Sequence, residues 1–168
     1  RGAVGLPQEN PTDDRVIDWG ILTATGHVIG NRTTLLAVAQ KQTVQSFAWS
    51  SAEPTKRLAW AASGNMYFTC TIAPVEQDGK TASSYVTELT GVDLDANPMT
   101  AADATVRFTS ASVEVRPGGQ VVYPASVYLG EKDGKAFRQV SEYAARNYYY
   151  QIEQGCGWCT FTFLVELM

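Results

Sequence analysis

The sequence predicts an all-β domain, a sandwich or barrel of about eight to ten strands with one short helix near residues 136–146. Three observations predict it. Apolar and polar residues alternate in nearly every segment, which is the period of a strand with one buried face. Thr, Val, Tyr and Phe dominate those segments, and such side chains fit a pleated surface. Turn signals built from Gly, Pro and Asp separate the segments at the spacing of a sandwich or barrel, not of βαβ units.

The elements follow in order. Residues 1–15, "RGAVGLPQENPTDDR", are polar and carry Pro7 and Pro11, and they read as an extended N-terminal arm. Residues 16–168 read as a single β-barrel domain. In "VIDWGILT", Ile17, Trp19 and Ile21 share one face. "TTLLAVAQ" is almost continuously apolar, as a strand buried on both faces would be. "VQSFAWS" places Phe47 and Trp49 on one side, and "RLAWAAS" places Leu58 and Trp60 on one side. In "NMYFTCTIAP" the alternation predicts Met66, Phe68, Cys70 and Ile72 inward, with Tyr67, Thr69 and Thr71 outward. "SSYVTELT", "TVRFTS", "SVEVRP" and "QVVYPASVYL" continue as strands. Asp78-Gly79 and Asp133-Gly134 read as hairpin turns, because both central positions of such turns favour positive φ. Pro117-Gly118-Gly119 is a third turn. Residues 91–103, with Pro98, form the longest connection, with room for a helical turn.

One segment has another period. In "KAFRQVSEYAARNYYY", Arg138, Glu142 and Arg146 recur every fourth residue and can pair along one helix face. Phe137, Val140 and Ala144 lie on another face. After it, "CTFTFLVEL" alternates again. Cys159, Phe161, Phe163, Val165 and Leu167 share one face, and Thr160, Thr162, Leu164 and Glu166 share the other.

Composition narrows the function. A chain of 168 residues with 45% hydrophobic and 18% charged residues builds a real core and is not generally disordered. So few charges suggest that much of its surface is covered by something else. A net charge of −4 gives no electrostatic footprint for nucleic acid. No apolar run approaches the ~20 residues of a membrane helix, and the N-terminus lacks an apolar signal-peptide core.

The pair Cys156 and Cys159, in "QGCGWCTF", has the spacing of a redox site or half a zinc site. A redox pair sits at a helix N-terminus, where the dipole lowers the thiol pKa, whereas this pair precedes a strand. Zinc needs four ligands. Cys70 and His27 complete the number, but nothing in the sequence places them nearby. A disulfide between Cys156 and Cys159 requires the segment to turn, because an extended strand would hold the two Cα atoms about 10 Å apart. The preferred reading is two cysteines of core and turn, with Cys159 and Cys70 packing as small apolar groups.

No other constellation announces chemistry. His27 is the one histidine, and no Gly-x-Ser-x-Gly elbow accompanies it. Asp93 and Asp95 lack the glycine-bearing loop of a calcium site and read as a solvated loop. Glu88 and Glu114 are carboxylates without a recognisable partner. Asn31-Arg32-Thr33 matches a glycosylation sequon. Tyr143, Tyr148, Tyr149 and Tyr150, with Trp49, Trp60 and Trp158, suit a sugar-stacking platform or, preferably, core and subunit contacts. The sequence therefore assigns no catalytic, cofactor-binding or metal-binding residue, and the chain reads as a non-enzyme.

A β-rich domain with a polar arm, low charge and many Thr and Tyr resembles the single jelly-roll capsid proteins of icosahedral viruses. In that fold two four-stranded sheets form a barrel. The arm departs from the Arg- and Lys-rich arms of many RNA-virus coat proteins. In this it is most similar to the small major capsid proteins of tailless, membrane-containing phages. The resemblance implies a structural virion protein that associates with itself and with a second capsid protein, contacts an internal viral membrane, and does not bind nucleic acid directly. The alternative is a carbohydrate-binding β-sandwich, secreted or carried on a receptor-binding spike. A hydrolase ranks third.

Overall fold

The computed structural model describes residues 15–34, 45–47, 57–75, 85–93, 104–110 and 112–152. The predicted arm over 1–15 lies outside them except for Arg15. So do the Asp78-Gly79 turn, the run 35–40, and the final segment with Cys156 and Cys159.

The described strands are β1 (Val16–Leu22), β2 (Val28–Thr34), β3 (Gln45–Phe47), β4 (Arg57–Gly64), β5 (Phe68–Pro74), β6 (Val86–Asp93), β7 (Ala104–Ser110) and β8 (Ala125–Glu131). Every pairing is antiparallel. One sheet has the order β2-β1-β4-β5-β8, and a smaller one has the order β3-β6-β7. The chain is thus mostly antiparallel β with a few short helices, as an all-β sandwich requires.

The core has two layers. Ile17, Trp19, Leu58 and Ala61 of the large sheet pack against Val86 and Leu89 of the small one, flanked by Ile21, Tyr85, Val106 and Phe108. Ile17, Trp19 and Ile21 share a face, as the alternation predicts. The opposite face carries Val28, Ala59, Trp60, Ala62 and Ala73 and is covered by Phe137 and Tyr148. The middle of the large sheet is therefore buried on both sides.

Leu58 and Trp60 do not share a side. The register shifts where Gly20 faces Trp60 and Ile21 faces Leu58, so Ala59 is an extra residue. Such a bulge turns the strand by one side-chain step. Leu58 joins the inter-sheet core and Trp60 the layer beneath the cap.

The cap is α1 (Gly134–Gln139), α2 (Ser141–Ala145) and a 3-10 turn (Tyr148–Gln151). Asp133 is not a hairpin turn residue. Its carboxylate accepts from the backbone N–H of Lys135 and Ala136, capping α1 and satisfying donors that have no partner within the helix. The single helix predicted over 136–146 is broken at Val140, whose ψ of 115° is extended. The break turns Phe137 inward and leaves Val140 and Ala144 outside. Of the predicted ion pairs, Glu142–Arg146 forms at 3.4 Å. Arg138 instead lies over the ring of Tyr149, 3.9 Å from its centroid. Asn147, with φ 54°, then reverses the chain into the 3-10 turn.

Strand β5 is in the opposite phase to the one predicted. Thr69, Thr71 and Ala73 are buried, Phe68 is 54% exposed, and Cys70 and Ile72 are half-buried. The cap supplies the reason, because Gln151 gives both threonines a buried polar partner.

Candidate functional site

Three features stand out: a buried polar cluster, a projecting loop, and an open apolar sheet face. The cluster starts with Asp18, whose neighbours Ile17 and Trp19 point into the inter-sheet core, so its own side chain points to the cap. Across the β1–β2 ladder it faces Arg32. The guanidinium holds the carboxylate with two bonds, Nε to Oδ1 at 2.5 Å and Nη2 to Oδ2 at 2.9 Å. Nη2 also donates to the Gln151 carbonyl at 3.1 Å. Lys132 Nζ donates to the same carbonyl at 3.1 Å and lies 3.9 Å from Asp18 Oδ2. The Gln151 side chain accepts from Thr69 Oγ1 at 2.7 Å and Thr71 Oγ1 at 3.1 Å.

Burial pushes the Asp18 carboxyl above its ordinary value, against the opposing pull of the hydrogen bond and charge of Arg32 and of the charge of Lys132. A carboxylate enclosed in this way and engaged by two cations is not presented to a substrate. The cluster fastens the 3-10 turn of the cap to β2 and β5 directly through Gln151, and to β1 through the Arg32 that Asp18 holds. The sequence singled out none of Asp18, Lys132 and Gln151, and it singled out Arg32 only as the middle of the sequon. The available signal was an aspartate inside the apolar run "VIDWGIL".

The projecting loop is residues 112–123. Its tip is a turn with Pro117 and Gly118 at the centre, closed by Gly119 N–H donating to the Arg116 carbonyl at 2.8 Å. Gly118 has φ 80°, which an L side chain rarely adopts. The predicted turn is present, but its flanks are not ladder strands among the described residues, and β8 begins only at Ala125. The loop holds Val113, Val115, Val121, Val122 and Tyr123 in the open, with Val115 51% and Val122 55% exposed. Its base is fixed where Val75 N–H and the Tyr85 hydroxyl donate to the Pro124 carbonyl.

The open face belongs to β5 and β8. Phe68, Cys70 and Ile72 lie opposite Glu131, Leu129 and Val127. Val127 is 65% and Leu129 79% exposed.

The structure disperses the other candidates. His27 is exposed in the β1–β2 turn, where its carbonyl accepts from Thr23. Cys70 pairs with Ser63, which pairs with Ile17 at the far end of β1. Three strand spacings and six residues of rise separate them, because His27 lies on the β2 side opposite Thr23, so Cys70 and His27 lie about 25 Å apart. They do not join in one ligand set. Among the described residues, no three His, Cys, Asp or Glu side chains are grouped to hold a metal ion. Glu88 is half-buried on β6, and Glu114 is exposed on the loop. Asp93 ends β6, and Asp95 lies outside the described residues. Asn31 is half-buried within β2.

The aromatic residues form a packed cluster. Trp60 and Tyr148 meet edge to face at 5.7 Å, Tyr143 stacks on Tyr148 at 5.3 Å, and Phe137 contacts Tyr128, Tyr143 and Tyr148. Tyr150 covers Gly30, where an added Cβ would meet its ring, and Arg32 lies over that ring at 5.6 Å. Trp49 and Trp158 lie outside the described residues. Comparisons with family models, curated proteins and solved structures return no match to this chain.

Proposed function

We propose that this chain is a structural building block of a virion, a jelly-roll-type capsid protein that tiles an icosahedral shell by associating with copies of itself and with a second capsid protein. The projecting loop carries the reading. An extended segment with valines in water on both of its arms gains little from its own fold. It gains much by lying along a neighbour, where its apolar side chains are covered and its backbone adds to a sheet edge. Repetition around a closed symmetric assembly lets each such contact be modest. The low charge of the chain, with a net charge of −4, favours protein contacts over nucleic acid.

The test is association as a function of concentration, followed by light scattering and electron microscopy, with the chain alone and with its co-purifying proteins. The wild type forms oligomers or shells with weak salt dependence. Val121→Asp with Val122→Asp keeps the far-UV circular dichroism and unfolding midpoint but loses association. Deleting residues 1–14 also leaves the fold intact and impairs assembly. A wild type that stays monomeric at every concentration and with every partner, and binds a glycan instead, overturns the proposal in favour of the carbohydrate-binding reading.

A further inference from the structure

The described residues hold two apolar surfaces in water. One is the loop over residues 112–123, exposed throughout, with Val113, Val115, Val121 and Val122. The other is the face of β5 and β8, where Phe68, Val127 and Leu129 are each more than half exposed. Contiguous apolar surface in water marks a contact site. Within one chain the loop does not cover the face, since both stay exposed.

The loop is held at its root. The Tyr85 hydroxyl and the Val75 N–H donate to the Pro124 carbonyl. Tyr123 packs on Tyr85 with ring centroids 5.1 Å apart, and Ser110 Oγ donates to the Tyr123 hydroxyl at 3.3 Å. The loop is thus anchored from β7 and from the end of β5, and a projection held in place pays less ordering entropy on binding.

Charge selects what the loop meets. Arg116 is exposed beside the tip turn, and Glu131 and Asp133 are exposed at the far end of the β5–β8 face. The other exposed charges are also of opposite sign, Glu114 on the loop and Lys135 just past Asp133. In a single chain the loop enters β8 at Ala125, and the length of that strand, about 20 Å, separates its root from the acids. Between two copies, the tip of one can lie at the acidic end of the other while its valines run along Val127 and Leu129.

We propose that the β5–β8 face is the receptor for the 112–123 loop of a second copy, with the valines against Phe68, Val127 and Leu129 and Arg116 against Glu131 and Asp133. The contact joins two different patches and is heterologous. Every copy offers one loop and one face, and repetition closes a ring where the rotation allows. The inference rests on the assembly reading and adds to it the surface that the loop meets.

The test is complementation between two broken copies. One carries Val121→Asp with Val122→Asp on the loop, and the other carries Val127→Asp with Leu129→Asp on the face. All four positions are exposed, so circular dichroism and the unfolding midpoint should match the wild type. In sedimentation each variant alone should associate at least about tenfold more weakly than the wild type. Mixed in equal amounts, they should form one-to-one dimers that do not grow, because one intact loop meets one intact face. Charge reversal is the second readout, and it decides if an apolar variant fails to fold. Arg116→Glu and Glu131→Arg should each weaken association, and the two together should recover at least part of it. A wild type that never associates overturns the assembly reading and this contact with it. A wild type that associates while the mixture stays monomeric, the face variant assembles normally, or the paired charge reversal recovers nothing overturns this contact alone.

Discussion

Trp60 donates its indole N–H to the main-chain carbonyl of Arg146 at 2.6 Å, joining a central strand to a residue 86 positions later. The bond is buried and ties the end of α2 to the sheet. Trp60→Phe keeps an aromatic ring but leaves that carbonyl without this donor. The expected cost is about 1–3 kcal/mol, the usual penalty for a buried unsatisfied acceptor. Urea titration should show a lower midpoint with an unchanged slope. A loss within error would mean that the bond adds nothing to the attachment of the cap.

Asp18 gives a pH dependence of defined sign. Burial raises its pKa above 3.8 despite Arg32 and Lys132. The folded state therefore holds the proton more tightly than the unfolded chain. Its contribution is fully present below 3.8 and is lost as pH rises through the raised value. Relative to Asp18→Asn, which does not titrate, the wild type should lose ground as pH rises from about 3 towards neutrality. Stability curves for the two proteins over that range check it, and a wild type that gains on the variant refutes it.

Tyr148 acts at the alkaline end. Burial pushes its phenol up to about 12, reinforced by Glu142 and opposed by the guanidinium of Arg146. The unfolded chain ionises near 10.0, so stability present below that pH drains away as pH climbs towards about 12. Tyr148→Phe keeps the edge-to-face contact with Trp60 and removes this proton. Its unfolding midpoint should fall less steeply with alkaline pH than that of the wild type. Parallel slopes would show that the phenol is open to water.

Gly30 is held to glycine by close approach. A methyl group there runs into the Tyr150 ring. Gly30→Ala should cost about 1–3 kcal/mol, in the range of overpacked sites. The diagnostic is a double-mutant cycle with Tyr150→Ala: once the ring is gone, the alanine should be nearly neutral. Simple additivity of the two losses would exclude the clash.

The sequence revealed the parts of this fold in which one rule acts alone. Ile17, Trp19 and Ile21 alternate on a regular strand, and the period of two placed them correctly. Leu58 and Trp60 have the same spacing, but a bulge at Ala59 intervenes, and nothing local marks it. In β5 the rule that apolar residues turn inward lost to a partner from 80 and 82 positions away, since Gln151 makes Thr71 and Thr69 the buried side. Asp133-Gly134 satisfies two grammars, hairpin turn and helix start, and the following "KAFRQ" decides for the helix. The Asp18 cluster was hardest to see, because its members are spread over five separate segments, which the ladder register and the fold of the cap together bring into contact.

The cap closes late in synthesis. A ribosome delivers the strands around Trp60, Thr69 and Thr71 well before Phe137, Tyr148 and Gln151 exist to cover them. For that interval a nascent chain carries strands whose apolar cap-facing side chains, Trp60 among them, have nothing to cover them. Such an intermediate invites the wrong neighbour, above all another nascent copy on the same message.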